Sequence, residues 1–303
     1  MQDSRGFLWV STGEGLARFN GNRFTVYRHS RADTNSMPFN NVGSCIELKN
    51  HHLVFNSAGK MWMLNPFNHQ QYAPPNFWRE KSYAVLTHLS RQLIAIRTKD
   101  KTYFTDMDLQ VIDSVTNPFP VIIVEMVYLG NNNVLFSNNH NSVCYSLVDK
   151  KMEAGNIEEK YFSNTNGFGI KHVDTINKLL YAVNYFSGIF TISYNREKPA
   201  YLKPISLSTP WIGGTKTLLY KNDDLIVSGD YQLVIFKKDK PPMVIDNPIN
   251  TTNNLPGGGG ELFADNNDNI WITGHNGISS FKLNQLNYQY WKLPYPADRK
   301  SVV

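Results

Sequence analysis

Seven short apolar runs recur along this chain at nearly constant spacing, and that period restricts its fold more than any other feature. They are Leu8-Trp9-Val10-Ser11-Thr12, Leu53-Val54-Phe55-Asn56-Ser57, Leu93-Ile94-Ala95-Ile96-Arg97, Val134-Leu135-Phe136-Ser137-Asn138, Leu179-Leu180-Tyr181-Ala182-Val183, Leu225-Ile226-Val227-Ser228-Gly229 and Ile270-Trp271-Ile272-Thr273-Gly274. Their starts lie 45, 40, 41, 45, 46 and 45 residues apart. A repeat of about 40–50 residues holding several short strands marks a β-propeller. The expectation is an all-β, seven-bladed propeller with four-stranded antiparallel blades, forming one domain over 1–303. Its blades fall near 3–29 plus 300–303, 42–72, 83–115, 121–150, 168–200, 214–246 and 259–293.

Composition agrees with strands. The chain is 13% aromatic and 18% charged, and rings suit pleated, half-buried surfaces. Only Asn156-Ile157-Glu158-Glu159-Lys160 offers a helical turn. Net charge is +5, yet Lys and Arg are scattered singly, without the dense basic stripe that nucleic-acid binding needs. Cys45 and Cys144 fall in different blades and read as buried small hydrophobes rather than a disulfide. No run reaches the ~18 apolar residues of a membrane span, and Met1-Gln2-Asp3 shows no charged and apolar signal pattern. The expectation is either a cytosolic protein or a domain cut from a longer chain, the repeat phase favouring the second.

Each repeat has four parts. An alternating strand such as Gly43-Ser44-Cys45-Ile46-Glu47-Leu48 is followed by a polar turn such as Gly130-Asn131-Asn132-Asn133. The apolar run comes next, then a third strand such as Gly15-Leu16-Ala17-Arg18-Phe19, then a more polar edge strand. Asn, Asp and Gly suit the turns because they accept positive φ or bond their own backbone. Blade one starts at the turn Asp3-Ser4-Arg5-Gly6, so its innermost strand is missing. Ser301–Val303 is expected to supply it by pairing with Leu8–Ser11, an unpaired tail being the alternative.

Asp3-Ser4-Arg5-Gly6-Phe7-Leu8-Trp9-Val10-Ser11-Thr12 followed by Gly15-Leu16-Ala17-Arg18-Phe19 resembles the two-component-regulator propeller repeat. The stretch Asp265 to Phe281 repeats the pattern, and Ser36-Met37-Pro38 and Asn254-Leu255-Pro256 resemble its short linker element. The five middle repeats lack the Trp of the second strand. The resemblance implies the periplasmic sensor region of a hybrid two-component histidine kinase and response regulator of the Bacteroidetes type. Such regions respond to oligosaccharides and are anchored in the inner membrane by parts outside these 303 residues. It implies a non-enzymatic fragment that works with a second propeller or a homodimer partner, and no cofactor.

Chemistry-bearing motifs are sparse. Pro256-Gly257-Gly258-Gly259-Gly260 lacks the following Gly-Lys-Ser/Thr of a phosphate loop. Asp265-Asn266-Asn267-Asp268-Asn269 is too short for a calcium loop and sits at a hairpin turn. The eight His show no metal-ligand spacing and no nucleophile elbow exists.

Strand direction puts the connection into each inner strand and the turn between second and third strands at one end of the blade. That face collects Phe39, Trp78, Arg79, His140, Tyr185, Trp211, Tyr231 and His275, the candidate ligand-binding residues. Rings beside Arg and His suit a sugar, whose C–H faces stack while its hydroxyls take hydrogen bonds. Two other readings compete. One is a propeller lyase or hydrolase using His172 and Glu125 with a metal; the other is a pure protein-interaction platform.

Overall fold

The computed structural model describes residues 1–33, 36–82, 85–119, 125–138, 141–155, 169–184, 188–195, 202–206, 217–221, 224–228, 232–237, 240–246, 261–274, 277–282 and 289–292. The chain divides into two compact units, Met1–Asn117 with Leu293–Val303, and Pro118–Lys292.

The first unit holds three sheets among its described residues. The first is β1 (Leu8–Thr12), β2 (Gly15–Phe19) and β3 (Phe24–Tyr27); the second is β4 (Val42–Glu47), β5 (Leu53–Ser57), β6 (Lys60–Leu64) and β7 (Gln71–Tyr72). One helical turn, α1 (Asn76–Arg79), leads to the third: β8 (Val85–Ser90), β9 (Leu93–Arg97), β10 (Lys101–Thr105) and β11 (Val111–Thr116). The second unit holds four sheets among its described residues. They are β12 (Glu125–Gly130), β13 (Asn133–Ser137), β14 (Ser142–Ser146) and β15 (Lys151–Ala154); β16 (Gly169–Asp174), β17 (Leu179–Asn184), β18 (Gly188–Tyr194) and β19 (Leu202–Ser206); β20 (Thr217–Lys221), β21 (Asp224–Ser228), β22 (Gln232–Phe236) and β23 (Met243–Asp246); and β24 (Leu262–Ala264), β25 (Asn269–Gly274), β26 (Gly277–Lys282) and β27 (Gln289–Lys292). Every sheet is an antiparallel meander in chain order. The apolar runs form β1, β5, β9, β13, β17, β21 and β25.

Within each unit successive sheets pack face to face, so a sheet between two others is apolar on both sides. In β6, Trp62 and Leu64 join a core with Trp9, Leu16, Tyr27 and Phe55, on the side of the first sheet. Met61 and Met63 alternate to the other face and join Ile94, Ile96 and Leu86 of the third sheet. The second unit repeats this: Leu135, Cys144, Leu180 and Ile192 join its first two sheets, and Ile226, Ile235, Ile270 and Phe281 join its last two. The first strands of neighbouring sheets lie side by side, β4 against β8 and β16 against β20.

Turn chemistry follows the sequence. Asn131 and Asn132 both take positive φ, 48° and 60°, in the two-residue link from β12 to β13. The turns opening at Asp3, Leu48, Asp106 and Asp265 share another form, in which the fourth residue bonds back to the first and is left-handed. Those residues are Gly6, His51, Leu109 and Asp268, with φ of 88°, 64°, 62° and 61°.

The first turn adds a pairing that the repeat pattern does not include. It folds Met1 and Gln2 back along β1, where Met1 and Trp9 exchange N–H···O bonds of 3.0 and 2.8 Å. Gln2 bridges Leu8, so the N-terminal residues begin to pair along the edge of β1 that β2 leaves open. Residues 301–303, the glycine run at 257–260 and the helical window at 156–160 lie outside the described residues.

Cys144 is buried, Cys45 partly so, and both are free thiols in separate units. Burial pushes each thiol up to about 12. The thiolate is the reactive form. Folded protein at pH 8 is therefore expected to take up almost no maleimide, and two equivalents in denaturant; rapid labelling of the native state would contradict this burial.

Candidate functional site

The residues that carry the family resemblance form a structural lock. Asp3 Oδ1 accepts the backbone N–H of Arg5 and Phe7 at 3.0 and 2.9 Å, and its Oδ2 accepts the indole N–H of Trp9 at 2.8 Å. Asp265 does the same with Asn267, Asn269 and Trp271, at 2.8, 2.9 and 2.8 Å. One carboxylate thus caps a hairpin turn and satisfies a buried indole six residues on. Burial pushes the Asp265 carboxyl up, but these donors and the Asn269 amide outweigh it and hold the group below its ordinary value. Its oxygens are committed to the turn, which accounts for the acidic cluster without a calcium ion.

At the other end of each sheet the connection enters the first strand beside the end of the second. Val42 opposes Ser57, and Ser57 Oγ donates to Asn41 O at 2.8 Å. Polar residues close several second strands here: Thr12, Ser57 and Arg97 in the first unit, Ser137 and Ser228 in the second. Gly43 lies in a bulge of β4, and a Cβ there would sit 2.6 Å from Asn56 Oδ1. That Asn56 oxygen is buried with no hydrogen-bond partner, a feature sequence reasoning missed. Its signal was a polar residue inside an apolar run, opposite a glycine. Phe39, on the connection into β4, is 49% exposed and free to stack.

Trp78 is placed differently from expectation. Trp78 is 2% exposed and belongs to the core between the second and third sheets. Its ring meets Phe77 and Tyr103 edge-on, with centroids 4.8 and 5.4 Å away. Its indole N–H reaches Leu109 O at 3.2 Å, in the turn between β10 and β11. That turn is at the end of the sheet opposite the start of β8, so Trp78 offers no face to a ligand at the connection end. The cause is α1, which tucks the ring inward as the chain leaves the two-residue β7 early. Arg79 is exposed, and its Nε donates to Pro74 O at 2.9 Å. Trp211, Tyr185, His140, Tyr231 and His275 lie outside the described residues.

Among the described residues, groups suited to catalysis do not line up. Ser4, Glu47 and His51 cluster at the turn end of the first two sheets, with Ser4 Oγ 2.6 Å from Glu47 Oε1 and 2.9 Å from His51 Nδ1. Glu47 Oε1 is also 3.2 Å from His51 Nδ1, so serine and carboxylate compete for one ring nitrogen. A nucleophile, base and orienting acid in series would use both nitrogens. The cluster instead ties one sheet to the next, with Ser4 N–H donating to Glu47 Oε2 at 2.7 Å. His172 sits inside β16 beside Tyr181, and burial lowers its imidazole pKa despite the nearby Asp174. Glu125 opens β12, opposite Ser137, at the connection end, whereas His172 is next to the far turn. Among the described residues no three His, Cys, Asp or Glu could share a metal ion, and no helix is long and apolar enough to cross a membrane.

No family model matches the sequence, and no curated protein matches it. Solved structures do match. The extracellular domain of hybrid two component system BT3049 from B. thetaiotaomicron superposes with a TM-score of 0.68 at 16% identity, over 90% of this chain and 38% of that one. That of system BT4673 from the same organism gives 0.68 at 15%, over 93% and 40%. Virginiamycin B lyase from Staphylococcus aureus gives 0.60 at 14%, over 90% of both chains. The chain spans about two fifths of the length of the two extracellular domains. At these identities the likeness is one of fold: all-β, propeller-like, built from repeated four-stranded antiparallel sheets.

Proposed function

We propose that this chain is a ligand-sensing, seven-bladed propeller from the periplasmic region of a hybrid two-component histidine kinase. The fold it shares with two extracellular domains of such systems carries this reading. The Asp–Trp lock at both ends of the chain supports it, because that lock is what the repeat pattern encodes. The connections into the first strands are the candidate ligand-binding segments, with Phe39 exposed in the first unit and Trp211, Tyr185, His140, Tyr231 and His275 as the sequence candidates of the second. An oligosaccharide suits rings flanked by hydrogen-bonding side chains. Occupancy would be signalled by a change in packing against a second propeller or a partner subunit, because a ligand shifts a two-state sensor only by binding one state better.

Calorimetry against a panel of oligosaccharides tests this, paired with Trp211→Ala. We expect one glycan class to bind and the variant to lose at least tenfold in affinity with its melting temperature unchanged. No binding across the panel, or a variant that binds like wild type, overturns the glycan reading of this face.

The fold shared with virginiamycin B lyase over 90% of both chains favours a second reading, a lyase acting at the same end. Incubation with a cyclic streptogramin and a divalent metal, followed by mass spectrometry for ring opening, separates the two.

A further inference from the structure

The first unit contains a cleft of about 340 Å³ between the connection leaving β3 and the outer strands β6 and β7. Its lining includes His29, Arg31, Met37, Trp62, Gln71 and Tyr72. Gln71 pairs across from Leu64, and Trp62 lies two residues before Leu64, so Trp62 and Gln71 share the sheet face that looks toward the first sheet. Such diagonal cross-strand neighbours lie within reach of a single small molecule. Met37, fully buried, forms the apolar floor.

Two polar atoms here are buried and have no hydrogen-bond partner: Trp62 Nε1 and Gln71 Oε1. The cleft's other walls are internally bonded. His29 Nδ1 is 2.7 Å from Met37 O, His29 N–H donates to Asn40 Oδ1 at 2.7 Å, and Ser36 Oγ both accepts from Ser30 N–H at 2.8 Å and donates to Ser30 O at 2.9 Å. The connection is thus braced without help from the two orphans. Leaving a buried polar group unmet is unfavourable and rare, so a donor and an acceptor left unmet together in a preformed cleft point to a missing partner. The volume lies in the range of small-ligand sites, roughly 300–1,000 Å³, and is far above the ~30 Å³ of one water.

We propose that this cleft binds a small neutral polyhydroxylated molecule of about one sugar ring, through a pair of neighbouring hydroxyls. One hydroxyl oxygen accepts from the Trp62 indole, and the next donates to the Gln71 amide oxygen. A hydroxyl both donates and accepts, so it satisfies an indole N–H and either end of a side-chain amide, which a carboxylate or an ammonium does not. The apolar floor at Met37 takes the C–H face. The site stands independently of the glycan reading above, because it uses none of the residues named there.

The test uses the whole chain labelled with ¹⁵N, titrated with glucose, galactose, N-acetylglucosamine, myo-inositol and glycerol to 20 mM. Trp62→Phe identifies the Trp62 indole resonance by its disappearance. We expect at least one ring polyol to shift that resonance saturably, while glycerol does not. Gln71→Met, of similar length, is expected to weaken that polyol at least tenfold. Both variants remove an orphan polar atom, so their ligand-free melting temperatures are expected to equal or exceed wild type. A Trp62 resonance unmoved by every ring polyol overturns the proposal and leaves water as the occupant. Equal binding by Gln71→Met overturns it too. Should Gln71→Met melt early, Gln71→Glu replaces it, keeping a side chain that fits the cleft and still accepts; retained binding there supports the proposal and lost binding in a folded variant opposes it.

Discussion

Trp78→Ala is expected to destabilise the protein by about 3–5 kcal/mol, the range for truncating a fully buried large aromatic. The ring fills the core between the second and third sheets and is 2% exposed. Truncation leaves a cavity beneath Phe77 and Tyr103 and removes the bond to Leu109 O. Trp78→Phe separates the two effects: it keeps most of the volume and drops only the N–H, with an expected loss of about 1–2 kcal/mol. Urea unfolding measures both. An alanine variant within 1 kcal/mol of wild type would mean that the indole is not a core residue, and would return it to the ligand-binding candidates.

Asp265→Ala is the second large change. It strips the buried Trp271 indole of its acceptor and frees the N–H groups of Asn267 and Asn269. An unsatisfied buried donor costs about 1–3 kcal/mol and a lost side-chain cap about 1 kcal/mol more. Asp265→Asn keeps one acceptor oxygen and should lose less. The same group makes stability depend on acid. Its folded pKa lies below its ordinary value of 3.8, so the unfolded chain takes up the proton first as pH falls. Its contribution is therefore complete above the unfolded value and disappears as pH drops through the folded one. The stability gap between wild type and Asp265→Asn, measured from pH 7 down to pH 3, should hold constant and then close only at the acid end. A gap that widens toward acid would reverse the sign of this argument.

Much of the architecture was legible because each repeat writes it twice, once as a continuous apolar run and once as a polar turn. The runs at Leu53 and Leu93 need only their short unbroken apolar content, β-branched or aromatic and bounded by turn residues, to be recognised as strands. The turns at Asp3 and Asp265 were equally readable, because an Asp three residues before a Gly or Asp suits a left-handed position. What sequence could not show was depth. Trp78 and Phe77 are neighbours of like chemistry on one connection, yet one is 2% exposed and the other 47%. Only the geometry of α1 decides between them. Trp62 hid for the opposite reason: within a strand it reads as ordinary core, and its unmet N–H emerges only when the connection from the neighbouring sheet is seen to pass without bonding it. The N-terminal pair Met1–Gln2 was overlooked because two residues carry no periodicity.

The alternation of β6 has a structural consequence for the first unit. Met61 and Met63 serve one hydrophobic layer while Trp62 and Leu64 serve another, so shifting this strand by a single position would empty both layers together. Sliding is penalised twice, and no half-correct arrangement exists in which one neighbour keeps its contacts. The middle sheet behaves as a keystone: it holds its two flanking sheets in a common register, and neither can loosen without the other feeling it.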